Sequence, residues 1–498
     1  MTSMISKTTS SPLSARATLV FCGASLVSRF PRVCPSLQLN TINMNFKTKI
    51  LLASMCCLSM FGVSAQNPII QTMYTADPAP IVFGDTLFLY VGHDEDDAPA
   101  KGYLMREYRL FTTTDMVNWT DRGAPLKTSQ ISWSNNDASA AQLIERNGKY
   151  YWYFSTNDKN GPGGVSVGVA VSDSPYGPFT DALGKALITN SMTTHAPHGW
   201  DDLDPTVFID DDGQAYLFWG NGACYWVKLK KDMISLDGEI QFLDIKDKTA
   251  FAGNFTEAPW VYKRNKQYYL VYAAEFPENI SYSTSKNITG PWKQQGILMP
   301  TEKGSNTNHA GIVDYKKKSY FFYHNDALPG GHSYDRSVAV EEFTYNPDGT
   351  IPKLNMTDAG ITKGVGTLNP YQRTEAETIA FSKGVKAIES KEKGVIITSI
   401  HNGDYIKIRD VDFGKTGPSS FKASASSRYH GGAIEIYADG LNGKLLGTLK
   451  IPYTGEWENW KEFSTNIENI KDVHDIYLVF KGGEPHVLFN FDYWQFIK

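Results

Sequence analysis

Apolar and polar positions along the chain follow one repeated grammar. The stretch Asp201 to Trp219, DDLDPTVFIDDDGQAYLFW, sets two apolar runs, TVFI and AYLFW, around a polar DDG. The runs are β-branched and aromatic, and Asp-Gly between such runs is a hairpin signal. The pattern recurs four times: Asp77 opens DPAPIVFGDTLFLY, Ala138 opens ASAAQLIERNGKYYWY, Glu257 opens EAPWVYKRNKQYYLVY and His309 opens HAGIVDYKKKSYFFY. Each unit is a small or charged head, an apolar run, a polar turn and an aromatic strand. The heads lie roughly 50 to 65 residues apart, near the length of one four-stranded blade, and such a period signals a repeat architecture. The pattern predicts an all-β chain with a five-bladed β-propeller over residues 66–355. The related stretches TTDMVNWTDRG, SDSPYGPF and STSKNITGPW are expected as outer strands and turns of three blades.

The rhythm changes after residue 355. Residues 356–372 read as a linker bearing Gly, Thr and Asn. Residues 373–498 then carry short alternating strands, GDYIKIRDVDF, SSFKASAS, AIEIYADG, HDIYLVF and FNFDYWQF, which predict a β-sandwich of jelly-roll type. A chain of 498 residues is too long for one ordinary core, so two domains are expected.

Residues 1–65 read as a leader. Lys47 and Lys49 precede an apolar run from Ile50 to Val63, and Val63-Ser64-Ala65 is a small-residue cleavage site. This is the layout of a secretory signal peptide over residues 44–65, and the run is too short for a comfortable membrane span. Residues 1–43 are either a genuine extension or the product of an upstream start codon. The expected location is secreted or periplasmic. Four of the five cysteines lie in the leader, which leaves Cys224 alone and excludes disulfides within the mature monomer.

Composition changes the picture little. The net charge of −5 offers no basic footprint, so a nucleic-acid partner is not expected. Aromatics reach 13 %, which suits a protein facing sugar rings and equally suits any strand-rich protein. The acidic run His93-Asp94-Glu95-Asp96-Asp97 reads as a solvated loop close to the channel mouth.

The chemistry lies in the unit heads. The first strand of each blade lines the central channel of a propeller, so the heads meet at one mouth. Three heads are carboxylates: Asp77, Asp204 and Glu257. Glycosidic hydrolysis needs one carboxylic acid to protonate the leaving oxygen and one carboxylate to activate water or attack. A third can orient the acid and hold its proton on through like charge. The plain alternative is that each acid caps a strand by accepting backbone N–H bonds.

TADPAP, DDLDPTVF and FTEAPW, set in the five-unit repeat, resemble glycoside hydrolase family 43, whose members are five-bladed propellers. The resemblance covers about residues 70 to 352. It implies an inverting enzyme with Asp77 as general base, Asp204 as orienter and modulator of the acid, and Glu257 as general acid. GHDEDDA, ERNGKYYWY and RSVAVEEF look most like the arabinoxylan arabinofuranohydrolase branch, which implies release of α-L-arabinofuranosyl side groups from arabinoxylan or a related hemicellulose. A β-xylosidase of the same fold is the alternative enzyme. A non-catalytic polysaccharide-binding protein and a calcium-dependent adhesion propeller are the alternatives from other classes. Asn308 and His309 head the fifth unit, where the family has a His near the channel axis, beside a calcium or a water. Arg336 resembles the family's substrate-binding Arg, against a plain surface salt bridge. Trp200 can stack on a sugar or simply pack.

RTEAE, NGDYIKIRDVDFG, YTGEWENW and FNFDYWQF resemble carbohydrate-binding module family 6. That resemblance implies a structural calcium, a hard cation that takes oxygen ligands, at Glu375, Glu377 and Asp492. It implies sugar stacking by Trp457 or Trp460 with Asn490. Ser399 stands where the family has a second aromatic, so docking on the propeller stays open beside ligand capture. No cofactor for catalysis is expected. The expected partner is a plant cell-wall polysaccharide, arabinoxylan or arabinan, met by a monomer.

Overall fold

The computed structural model describes residues 66–160, 163–302, 304–483 and 485–498. Residues 1–65, where a leader and signal peptide are expected, lie outside the described residues. The described chain is all-β, with one short 3-10 turn and no α-helix.

Each repeat unit forms one antiparallel sheet. The first holds Tyr74–Phe83, Thr86–Asp94, Glu107–Thr113 and Trp119–Asp121, with Leu126–Lys127 beside its third strand. The second holds Ser139–Arg146, Lys149–Asn157, Val165–Ser172 and Thr180–Asp181. Thr206–Ile209, Ala215–Trp219, Cys224–Leu229 and Gln241–Leu243 make the third. Phe255–Arg264, Gln267–Ala274, Asn279–Ser285 and Lys293–Met299 make the fourth. The fifth has three strands, Gly311–Tyr315, Lys318–Asn325 and Ser337–Phe343.

The polar turns of the repeat are the hairpin turns. Asn147-Gly148, Asn265-Lys266 and Lys316-Lys317 all take left-handed backbone, as two-residue turns between right-twisted strands require. The aromatic second strands alternate into the cores between sheets; Tyr90, Trp152, Phe154, Leu217 and Tyr269 are buried there. The leading strand of the first sheet lies beside those of the second and fifth, and the leading strand of the third lies beside those of the second and fourth. The start of the described chain closes onto the end of this region: Ile69 donates its N–H to Val338 O (2.9 Å) and Thr75 to Arg336 O (2.8 Å).

Residues 373–498 form two further sheets. One has Thr374–Glu375, Lys386–Ser390, Gly394–Thr398, Ser420–Ser426, Lys461–Asn466 and Asn490–Ile497. The other has Phe381–Lys383, Tyr405–Asp412, Gly432–Ala438, Lys444–Ile451 and Val473–Lys481. Ile406, Ile408, Phe421, Ile434, Leu478 and Trp494 are fully buried in their core.

The two regions are joined tightly. Thr378–Ile379 pairs with Trp119–Asp121 and so adds a strand to the first sheet. Glu389 accepts the Ala124 N–H (2.7 Å) and pairs with Lys127 (2.8 Å), and Lys386 pairs with Asp96 (2.9 Å). Trp119, Ile70, Ile379 and Val385 belong to one apolar cluster that runs through both regions. The segment 356–372 carries no strand yet is packed down. Met356 and Ile361 are buried, and Arg409 holds the carbonyls of Ile361 (2.9 Å) and Thr362 (2.8 Å).

Candidate active site

The repeat heads sit on irregular backbone. Asp77 (φ 54°), Asp204 (φ 61°) and Ala258 (φ 56°), which follows Glu257, are all left-handed. Pairing slips between Ala76 and Ala79 and on both sides of Glu257. Bulges of this kind re-aim a side chain that a regular strand would send elsewhere, and Asp tolerates the left-handed region better than most residues. Ala does not, so the acid strand stores strain where its carboxyl is presented.

Asp77, Asp204 and Glu257 line one cavity of about 800 Å³. Asn308, His309, Arg336 and Trp200 line it too, so all seven residues predicted for this site are brought together. Arg336 is buried rather than in a surface salt bridge. Its Nε and Nη2 form a fork on Asp94, each at 2.9 Å, and its Nη1 reaches Asp77 Oδ1 at 3.1 Å. Burial works against the guanidinium charge, but Asp77 and Asp94 outweigh it and keep Arg336 ionised. The same contact corrects the reading of the acidic run. Asp94 is fully buried, because its charge is needed to neutralise Arg336, and Glu95 and Asp97 are spoken for by Arg106.

Two histidines flank Asp77. His324 Nδ1 lies 3.4 Å and His309 Nδ1 3.9 Å from Asp77 Oδ1, and burial lowers the pKa of both rings. Asp204 accepts the Ala258 N–H at 2.9 Å. Burial, then the charges of Glu257 and Asp77, push its pKa well above the ordinary carboxyl range. Glu257 accepts a hydrogen bond from the Asn221 amide. Its own pKa is raised, by burial first and by Asp77, against the pull of Asn221. Asn308 is buried with both side-chain polar atoms unpartnered, which suits a group waiting for a ligand hydroxyl. Trp200 is 54 % exposed and stacked on His198 at 4.2 Å.

Sequence reasoning missed Asn221, His324, Tyr103, Phe276 and Glu278, which also line the cavity. They sit on turns and second or third strands, outside the heads that the repeat marks. Phe276 is 70 % exposed, and such exposure of a large ring is the one signal that only the structure supplies.

The module residues are more dispersed. Arg373 Nη2 bridges Glu375 (2.7 Å) and Asp492 (3.2 Å), and Lys393 lies 3.5 Å from Asp492. Burial first, then the charges of Asp121 of the first sheet and of Glu375, raise the pKa of Glu377 well above the usual value. Among the described residues no group of three His, Cys, Asp or Glu side chains is gathered closely enough to hold a metal. Trp457 and Asn490 are near each other: Ser426, the register partner of Asn490, donates to the Trp457 carbonyl. Trp457 packs edge-on to Tyr429 (5.7 Å), which stacks on His486 (4.8 Å). Trp460 stands apart, under the Lys393 ammonium.

The model of glycosyl hydrolases family 43 matches residues 65–351, and that of carbohydrate binding module family 6 matches residues 375–498. An arabinoxylan arabinofuranohydrolase of Bacillus subtilis (strain 168) is 32 % identical, over 88 % of this chain and 93 % of its own. One of Paenibacillus polymyxa is also 32 % identical, over 86 % of this chain and 74 % of its own. The solved structure of a family 43 arabinoxylan arabinofuranohydrolase from Bacillus subtilis with cellotetraose superposes with a TM-score of 0.75 at 30 % identity, covering 87 % of this chain and 98 % of that one. With an acid-lined cavity on the matched residues and a second matched module behind it, the chain belongs to the glycosyl hydrolases of family 43.

Proposed function

We propose that this glycoside hydrolase acts on xylan, releases α-L-arabinofuranosyl side groups and inverts the anomeric configuration. The observation that carries the reading is the convergence of Asp77, Asp204 and Glu257 on one cavity from three different sheets. The relatives named arabinoxylan arabinofuranohydrolase support the substrate. In this reading the five sheets are the blades of a five-bladed propeller and residues 373–498 are a β-sandwich.

Glu257 gives its proton to the glycosidic oxygen as the C–O bond breaks, and the bond's electron pair goes to that oxygen. Asp77 takes a proton from a water on the opposite face of the sugar, and the oxygen of that water bonds to the anomeric carbon. Arg336 sets a fixed positive charge beside Asp77 and is itself held by Asp94. Asp204, its pKa pushed up by burial and by the acids around it, accepts the Ala258 N–H and so fixes the backbone that presents Glu257. Asn308 and Trp200 contribute an amide and a ring face to sugar binding.

For the module we propose sugar contact through Trp457 and Asn490 and a structural calcium at Glu375, Glu377 and Asp492. A buried carboxylate oxygen of Glu377 has no hydrogen-bond partner and one of Asp492 has only the Lys393 ammonium at 3.5 Å, and hard oxygen donors suit that ion. The leader fits export from the cell.

The deciding experiment is proton NMR of arabinoxylan digestion in its first minutes, beside a panel of nitrophenyl glycosides. The expected first product is β-arabinofuranose. Initial α-arabinose, or transfer to added methanol, would mean a retaining enzyme, whose carboxyls stand about 5–5.5 Å apart rather than roughly 6.5–9.5 Å. Release of xylose alone would favour the β-xylosidase reading, which relatives named xylosidase/arabinosidase keep alive.

A further inference from the structure

Glu278 heads no repeat unit. It lies one residue before the strand Asn279–Ser285, with its N–H on Asn306 O (3.0 Å) and its Oε2 accepting the Asn308 N–H (2.7 Å). It lines the active-site cavity yet is only 2 % exposed. Its carboxyl lies in the same cavity wall as that of Glu257, and each group acts on the other's titration. Two buried carboxyls that share a site cannot both ionise cheaply, so one of them keeps a proton, and only a protonated carboxyl can donate to the other. Capping the Asn308 N–H asks for an oxygen alone, which Gln would supply. It does not ask for a second ionisable group beside Glu257.

Every charge facing this pair bears on where the proton sits. Burial, then the charges of Glu257 and Asp204, raise the pKa of Glu278 well above its ordinary value. Asp77 and Arg336 act on Glu257 with opposite signs. Tyr103 also faces Glu257, and burial pushes its pKa up to about 12. His309 and His324 lie on the Asp77 side, each with its pKa lowered.

We propose that Glu278 is a positioning residue for the general acid: a neutral carboxylic acid that donates its O–H to Glu257. The inference rests on the general-acid reading of Glu257. When Glu257 has given its proton to the glycosidic oxygen, it is left as a carboxylate in a site where burial penalises charge. The O–H of Glu278 stabilises that carboxylate without leaving Glu278, and Glu257 regains its proton from solvent. A buried carboxylic acid used in this way as a hydrogen-bond donor has good chemical precedent.

The test compares Glu278→Gln and Glu278→Met on arabinoxylan and on a nitrophenyl arabinofuranoside across pH. Gln keeps a donor for Glu257 and an acceptor for Asn308. Its activity is expected within about threefold of the parent, with the alkaline limb of kcat/KM unmoved. Met removes the donor. Turnover of arabinoxylan is expected to fall about tenfold to hundredfold, with a much smaller loss on the nitrophenyl substrate and the alkaline limb raised by about one pH unit. A limb lowered by a unit in Glu278→Gln would mean that Glu278 is charged, and would overturn the proposal. Equal losses on both substrates in Glu278→Met, with the limb unmoved, would leave only a scaffold role and overturn it too. If the Met variant does not fold, infrared spectroscopy at pH 7 decides. The parent must show a protonated-carboxyl carbonyl band that Glu278→Gln lacks, and identical spectra would overturn the proposal. Glu257→Gln runs alongside: equal losses on both substrates there would sink the general-acid reading itself, while the infrared difference still reports the proton on Glu278.

Discussion

Asp202 carries a cost that depends on pH. It is fully buried within the DDLD cluster, where Trp219 Nε1 donates to its Oδ1 (2.8 Å) and Thr193 Oγ1 to its Oδ2 (3.0 Å). Burial, with the Asp201 charge beside it, pushes its pKa from 3.8 to about 7, against the pull of those two hydrogen bonds. The unfolded chain gives up this proton near pH 4, whereas the folded chain holds it until about pH 7. Stability is therefore full below the unfolded pKa and drains away as pH rises through the folded one. At about 1.4 kcal/mol for each pH unit, the whole loss is about 4 kcal/mol, a large part of a typical 5–15 kcal/mol. Asp202→Asn keeps both contacts, since its oxygen accepts from Trp219 and its amide donates to a turned Thr193 hydroxyl. It removes the charge. The variant should be more stable than the parent by about 1–2 kcal/mol at pH 5 and about 4 kcal/mol at pH 8. Urea unfolding of both proteins at the two pH values reads this directly, and other titrating groups cancel in the difference. A gap that does not widen between pH 5 and pH 8, or a variant less stable at pH 8, would refute the reasoning.

Asp77→Asn and Glu257→Gln should each lower turnover of arabinoxylan by about 10²–10⁴-fold with the fold intact by circular dichroism, and a nitrophenyl leaving group should partly rescue Glu257→Gln alone. Arg336→Met strands Asp77 and Asp94 as buried carboxylates without their cation and should cost about 3–5 kcal/mol, visible as a lowered urea midpoint at pH 7. Chelation with EDTA should lower the melting temperature of the full chain if Glu375, Glu377 and Asp492 hold calcium; an unchanged melt would remove the metal. A chain stopped at residue 372 uncovers Trp119 and loses the Thr378–Ile379 strand, so it should be recovered as aggregate rather than as a monomer on gel filtration.

The five sheets were legible because each rests on a local signal. A turn such as Asn147-Gly148 or Asn265-Lys266 and an aromatic strand after it lie within a dozen residues. The three acids were legible because the repeat marks them. Asp94 was not, since its partner Arg336 stands 242 residues away and nothing local tells the one fully buried acid from the three acids that follow it. Glu278 escaped for a related reason: it sits at the foot of a third strand, a position the repeat leaves unmarked. Nor does any pattern foretell Ala258 in left-handed backbone, which tertiary packing imposes against propensity. The strand Thr378–Ile379 is two residues long, too short for periodicity to register, and yet it ties the two regions together.

That short strand sets a clock on synthesis. The first sheet is made early, but its outer strand Trp119–Asp121 meets its neighbour only when Thr378–Ile379 leaves the ribosome, roughly 10 to 50 s later at ordinary rates of translation. Through that interval an open strand edge and the face of Trp119 are on offer to any other chain nearby. The catalytic centre waits almost as long, because Asp77 and Asp94 are two like charges until Arg336 arrives to join them. The nascent chain thus passes about half of its synthesis with its oldest sheet unfinished, and holding it apart from its neighbours falls to whatever chaperone receives it.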